Sequence, residues 1–114
     1  MSYLVTPFEV SSKVLAQSLQ VRFVHLASGI ATRHSDTIDC FFHVGGREVI
    51  VSIPCAALTE LRECEQLRLT DQRLAEIASA HLRTVLERGY DATLAEARMT
   101  GEELRALAQP IDSL

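Results

Sequence analysis

The strongest local pattern in the chain lies between Thr37 and Ile53, where two runs rich in β-forming apolar residues flank Gly45-Gly46. A period of two is typical of β-strands, and a two-residue Gly-Gly connection favours the primed turns of hairpins. Pairing Val44 with Arg47 then sets the register of the whole hairpin. One face pairs Phe42 with Val49, Cys40 with Val51 and Ile38 with Ile53, and the other pairs His43 with Glu48, Phe41 with Ile50 and Asp39 with Ser52. We expect the first, apolar face to belong to the core and the second to be mixed.

Two elements are predicted before this hairpin. Thr6-Pro7-Phe8-Glu9 places a capping residue, a proline and a glutamate as a helix start requires, so it predicts a helix from Pro7 to about Leu19. A strand is the alternative, because the apolar positions of this segment form no clean helical stripe. The β-rich run from Gln20 to Ala27 predicts a strand, and the polar stretch from Thr32 to Asp36 predicts a loop.

Helices are predicted after the hairpin. Pro54 cannot donate to a sheet and suits the first turn of a helix that carries Ala57, Leu58, Leu61 and Cys64. Thr70 caps the longest helix, with Leu69 and Leu74 placed for a hydrophobic staple. That helix has an apolar stripe and ends at Arg88, before Gly89.

The last part of the chain is less regular. Thr100 and Glu103 repeat the capping-box spacing, so a short helix is predicted from there to Pro110, while Asp91 to Arg98 fits either a helical turn or a strand. We predict an α+β fold, an antiparallel meander of about three strands with helices packed on one face.

Length and composition indicate one globular domain over residues 1–114. The chain is 47% apolar and 23% charged, and at this length a domain builds a core without disulfides or metal. No window approaches the roughly 20 consecutive apolar residues of a membrane span, and Glu9 stands where a signal peptide favours Lys or Arg. We expect a soluble cytoplasmic protein.

The charge distribution disfavours nucleic acid and anionic lipid as partners. The chain has 11 basic and 15 acidic residues, a net charge of −4. Up to Ala57 the two signs cancel, so the negative excess lies in the second half, where acids and arginines are mixed along predicted helices. Solvated helix faces with local ion pairs have this pattern, and a basic groove that follows phosphates does not.

The mixed hairpin face carries the residue types of a hydrolytic site. These are Asp39, His43, Glu48 and Ser52. Asp39 and His43 lie four residues apart on one strand, about 13 Å at ~3.3 Å per residue, whereas a catalytic base and its orienting acid need hydrogen-bond contact. Only His43 and Glu48 are within reach of each other, and a surface cross-strand pair explains them. No catalytic residue is assigned.

The three cysteines are odd in number and lack a CxxC pair, which indicates reduced thiols. Cys55 lies near a predicted helix start, where free N–H groups lower a thiol pKa, so a reactive thiol there is one hypothesis. Cys40 and His43 have ligand-like spacing and Cys55 with Cys64 could complete a zinc site, but Cys40 and His43 point to opposite faces of a strand. We expect no metal and no cofactor.

Phe41 opposite Ile50 is the most suggestive feature of the mixed face. Two large apolar side chains there either lie under another element of the chain, such as the N-terminal segment, or form a patch that a partner covers.

The run from Ile38 through Val44-Gly45-Gly46-Arg47 to Ile53, with the helices to Gly89, resembles a known type of protein. It is similar to small bacterial domain-of-unknown-function proteins in which a hairpin with a Gly-containing turn leads into an Ala-Leu helix and then a longer one. The similarity covers about the middle half of the chain. It implies an α+β domain and supplies no catalytic residues.

Two functions are compatible with these residues. The first is a non-enzymatic interaction or regulatory module, a homodimer or the partner of another protein, acting through Phe41, Ile50, His43 and Glu48 or through the acidic helices. The second is a small-molecule binder or enzyme with a pocket between sheet and helices, using His43, Glu48 and Cys55. Nucleic-acid regulation is a third hypothesis, which the negative charge opposes.

Overall fold

The computed structural model describes residues 5–12, 17–28, 36–64, 66, 68–88 and 96–108. The strands are β1 (Phe8–Ser12), β2 (Gln17–Ser28), β3 (Thr37–Val44), β4 (Arg47–Pro54) and β5 (Glu96–Arg98). The helices are α1 (Cys55–Cys64), α2 (Asp71–Glu87) and α3 (Gly101–Ala108). None of these helices is long and apolar enough to cross a membrane.

The strands form one sheet in the order β1-β2-β3-β4-β5. The first four are an antiparallel meander, and the short β5 runs parallel to β4. The α+β class is therefore confirmed, whereas the predicted number of about three strands is too small. Within the stretch Asp91 to Arg98, the last three residues are strand, and 91–95 lie outside the described residues.

The predicted N-terminal helix from Pro7 to Leu19 is wrong, and the strand alternative is right where the structure describes this segment. Val10 is buried opposite Leu19 of β2, while Glu9 and Ser11 on either side of it are exposed. This alternation has the period of a strand. A capping box stabilises only a few backbone N–H groups, so pairing with β2 and burial of the apolar positions outweigh it.

The β3–β4 hairpin has the predicted register at every pair, from Val44 opposite Arg47 to Ile38 opposite Ile53. Its turn places Gly45 at φ +58° and Gly46 at φ +87°, the left-handed region that glycine adopts without strain. The Gly45 N–H also donates to the carbonyl of Gln20, over 2.9 Å, so the turn is attached to β2.

A β-bulge in β2 decides which side chains lie on each face of the sheet. Phe23 pairs with Phe42 and His25 pairs with Phe41, so Val24 between them is an extra residue. Beyond the bulge the alternation is reversed. His25 therefore shares a face with Phe41, and Leu26 packs against the core.

The hydrophobic core joins one face of the sheet to all three helices. Its largest buried strand residues include Phe42, Val49 and Val51. The helices contribute Leu61 from α1, Leu74, Ile77, Ala78, Leu82 and Leu86 from α2, and Leu104 and Ala108 from α3. The predicted core face of the hairpin is confirmed.

The predicted helix starts at Thr70 and Thr100 are confirmed. The Thr70 hydroxyl accepts from the Arg73 N–H at 3.1 Å. The Thr100 hydroxyl accepts from the Glu103 N–H at 3.2 Å, while the Glu103 carboxylate accepts from the Thr100 N–H at 2.9 Å. At the other end of α2, Arg88 is the C-cap. The predicted stop residues Gly89 and Pro110 and most of the loop from Thr32 to Asp36 lie outside the described residues.

Candidate functional site

The predicted interaction residues Phe41, Ile50, His43 and Glu48 lie together on β3 and β4, on the face of the sheet opposite the core. We call this face of the sheet the outer face. It also carries Arg22 and His25 of β2, Thr37 and Asp39 of β3, and Ser52 of β4. Phe41 is 8% exposed and lies outside the core cluster, and Ile50 is half-buried.

Phe41 is covered by a side chain of its own sheet. The His25 imidazole stacks on the Phe41 ring with 4.2 Å between the ring centroids and 11° between the planes. The N-terminal segment is one predicted cover of Phe41, whereas this contact comes from β2. His25 reaches Phe41 only because of the bulge at Val24.

His43 lies opposite Glu48 in the strand register, but its hydrogen bond is to Arg22. The distance between Arg22 Nη2 and His43 Nδ1 is 3.1 Å. A guanidinium can only donate, so Nδ1 is the acceptor and a neutral His43 carries its proton on Nε2. Sequence reasoning missed Arg22. The sequence marks Arg22 only as a polar residue between Val21 and Phe23. That position does not predict which residue of β3 lies opposite it.

Asp39 is fully buried on the outer face and is held by hydroxyls. Thr37 Oγ1 donates to Asp39 Oδ1 at 2.8 Å, and Ser52 Oγ donates to the same oxygen at 3.2 Å. The structure therefore joins Asp39 to Ser52 and places His43 beside Glu48, with Phe41 and Ile50 between the two pairs. Asp39 and His43 thus belong to different cross-strand pairs of the outer face.

Cys55 begins α1, and its surroundings are the opposite of those that the reactive-thiol hypothesis requires. Burial raises the pKa of the Cys55 thiol, and so do its hydrogen bond to the Asp36 carboxylate and the charges of Asp36 and Asp39. These carboxylates disfavour a thiolate at Cys55. The Cys55 N–H also donates to the Asp36 carbonyl at 3.2 Å.

The other two cysteines differ in accessibility. Cys40 is buried in the core, where burial and the charges of Asp39 and Asp71 raise its pKa to about 12. Cys64 is exposed at the end of α1. Cys40 and His43 lie on opposite faces of β3, and within the described residues no three His, Cys, Asp or Glu side chains are grouped as metal ligands.

A cavity of about 430 Å³ opens between the start of β3, α1 and the segment that leads into α2. Its lining is Ile38, Cys55, Leu58, Thr59, Arg62, Arg68, Leu69 and Leu74. The pocket between sheet and helices that the second hypothesis requires thus exists, but His43 and Glu48 lie on the outer face and do not line it. Cys55 does.

His81 is a buried titratable group that belongs neither to the outer face nor to the lining of the cavity. It lies on α2 with Nδ1 3.8 Å from Glu103 Oε2. Burial lowers the pKa of His81 and Arg88 adds to this effect, while Glu103 partly opposes it. Burial alone would raise the pKa of Glu103, but hydrogen bonds from Thr100 and the charges of His81 and Arg88 lower it. This pair links α2 to α3.

Comparison with known protein families, with curated proteins and with solved structures finds no match to this chain. The resemblance to small bacterial domain-of-unknown-function proteins stays a prediction.

Proposed function

We propose that this chain is a non-enzymatic interaction module that associates with a second copy of itself through the outer face of its sheet. The observation that carries the proposal is the apolar and aromatic group on that face. The stacked His25 and Phe41 and the half-buried Ile50 lie outside the core cluster to which the helices contribute. We further propose that the helices pack on the core face only, so that the exposed part of the outer face, around His25, Glu48 and the half-buried Ile50, is open to a partner.

The hydrogen bonds of the polar residues on the outer face are explained by a structural role. Arg22 is bonded to His43, and Asp39 accepts from two hydroxyls. These bonds join neighbouring strands or satisfy a buried carboxylate, and the Arg22 guanidinium keeps further donors for a partner.

The charges on the outer face favour a second copy as the partner. Arg22 and Glu48 are both exposed on strands that flank His43, and Glu48 has no ion-pair partner within the described ranges. In a twofold-symmetric contact each copy presents the same patch, so Arg22 of one copy can lie opposite Glu48 of the other. The outer face is thereby complementary to itself, although the whole chain has a net charge of −4.

The test is sedimentation velocity over a range of protein concentrations. Wild type should dimerise, and Glu48→Lys should shift it toward monomer, because the new lysine faces Arg22 of the other copy and like charges at an interface repel. Arg22→Glu should do the same, and the double variant R22E/E48K should recover dimerisation. Glu63→Lys, an equal change of charge at an exposed position of α1, is the control and should leave the dimer intact.

Circular dichroism would confirm that each variant is folded. A wild-type chain that stays monomeric at all concentrations would disprove the proposal. A dimer that is as stable in Glu48→Lys as in Glu63→Lys would place the interface elsewhere on the molecule.

A further inference from the structure

The geometry points to a binding site for a small amphipathic carboxylate, with its hydrocarbon part in the cavity between β3 and α1 and its carboxylate at Arg62 and Arg68. This inference is independent of self-association, because none of the cavity residues belongs to the outer face.

The cavity has the size and the lining of a small-molecule site. Its volume of about 430 Å³ lies within the range of roughly 300 to 1,000 Å³ that is usual for ligand pockets. The apolar part of the lining comes from four side chains on three different segments, Ile38, Leu58, Leu69 and Leu74. A hydrocarbon chain buried against them would lose contact with water, which stabilises the complex.

The charge of the lining selects an anion. Arg62 and Arg68 both line the cavity, and among the residues that the structure describes no acidic side chain lines it. Neither arginine forms an ion pair or a side-chain hydrogen bond with another residue in the described part of the chain. Each therefore has its guanidinium available, and the fork of N–H donors on a guanidinium matches a carboxylate.

A second cavity of about 420 Å³ shows the contrast. It is lined by Arg83 together with Glu76. Arg83 lies over the Phe8 ring, 5.3 Å from its centroid, and its Nε is 3.6 Å from Glu87 Oε2. The positive charge there is already matched by carboxylates, so an anion gains less from entering.

Cys55 supplies a reporter within the cavity. Its thiol is partly exposed and lines the cavity wall, while Cys64 is exposed at the far end of the same helix and is not part of the lining. A bound ligand should shield Cys55 from an alkylating reagent and leave Cys64 unaffected.

The experiment measures alkylation of both cysteines by N-ethylmaleimide, using mass spectrometry of the intact chain and its peptides, with and without octanoate. At an octanoate concentration ten times its dissociation constant, about one site in eleven is free, so alkylation of Cys55 should slow about tenfold. Cys64 should react at its original rate. Octan-1-ol, which has the same hydrocarbon chain without the charge, should protect Cys55 much less.

Matched variants test the two arginines. R62Q/R68Q should reduce the protection by octanoate to that given by octan-1-ol, whereas R47Q/R83Q, which removes the same charge from other sites, should keep it. Glu48→Lys should also keep it, so failure of this inference is distinguishable from failure of self-association. Three results would overturn it: no slowing at Cys55, equal slowing at Cys64, or full protection in R62Q/R68Q.

Discussion

His25 of β2 and Phe41 of β3 stack with their ring centroids 4.2 Å apart and their planes within 11° of parallel. The two residues sit on the outer face, away from the main core, and the His25 ring lies on one side of the Phe41 ring, which is only 8% exposed. The bulge at Val24 makes the contact possible by turning His25 onto this face.

Removal of this stack should destabilise the fold. We expect His25→Ala to lower the free energy of unfolding by about 0.5 to 1.5 kcal/mol, the contribution of a stacked aromatic pair beyond its buried area. His25→Phe keeps a flat ring over Phe41 and should retain most of the stability. Urea unfolding followed by circular dichroism measures both variants. Equal stability in His25→Ala and wild type would show that the stack contributes nothing.

The hydroxyl of Thr37 should stabilise the buried Asp39 carboxylate. Thr37→Val keeps the shape of the side chain and removes the 2.8 Å hydrogen bond. The free energy of unfolding should therefore fall by about 1.5 to 3 kcal/mol, the usual contribution of a hydrogen bond to a charged group. Thr84→Val is the matched control, because the Thr84 hydroxyl donates to the Ala80 carbonyl, an uncharged acceptor on an exposed stretch of α2. If both variants lose the same stability, Asp39 does not depend on Thr37.

Lowering the pH should reduce the free energy of unfolding through protonation of His81. Burial keeps the pKa of folded His81 below its ordinary value of 6.5, so the unfolded chain binds a proton more readily than the folded one. The stabilisation is complete above pH 6.5 and is lost as the pH falls toward the folded pKa, by at most about 1.4 kcal/mol per pH unit. The lowered pKa of Glu103 acts in the same direction, below its ordinary value of 4.5.

The measurement for His81 is the free energy of unfolding in urea at pH 8.0 and pH 5.5. Wild type should lose stability between the two, and His81→Gln should lose less, since it has no proton to bind. Parallel pH profiles for the two proteins would assign the acid sensitivity to other groups.

The two turn glycines should differ in their tolerance of a side chain. In Gly46→Ala the new Cβ has no atom within 4 Å. The left-handed backbone alone should therefore lower the free energy of unfolding, by about 1 to 2 kcal/mol. In Gly45→Ala the new Cβ would also lie 2.8 Å from Leu19 Cδ2, a buried side chain that must move. We therefore expect Gly45→Ala to be less stable in thermal unfolding than Gly46→Ala. The reverse order would mean that Leu19 moves at no cost.

The three thiols should react in order of their exposure. With a disulfide reagent at pH 8, exposed Cys64 should react first, Cys55 more slowly, and Cys40 only when the chain unfolds. Cys64→Ser should remove the fast phase, and a denaturant should release Cys40. A native protein in which Cys40 reacts as fast as Cys64 would contradict its place in the core.

Local patterns predicted much of this fold. The Gly-Gly turn and the period of two specified the β3–β4 register at every pair, and Thr70 and Thr100 specified two helix starts. Each of these features depends on residues that are close in sequence or that follow directly from one tight turn, so the sequence carries the information locally.

Only the tertiary structure decided the remainder. The segment at Phe8 carries a helix-capping signal, yet pairing with β2 makes it a strand. The Arg22 bond to His43 joins residues 21 positions apart, and the His25 stack needs a bulge that no sequence period predicts. The cavity at Arg62 needs three segments to meet. The sequence by itself therefore determined the hairpin register, the helix starts at Thr70 and Thr100, and the α+β class. The N-terminal strand, the contacts of the outer face and the cavity follow from long-range packing, because its free energy depends on the whole chain rather than on any short segment.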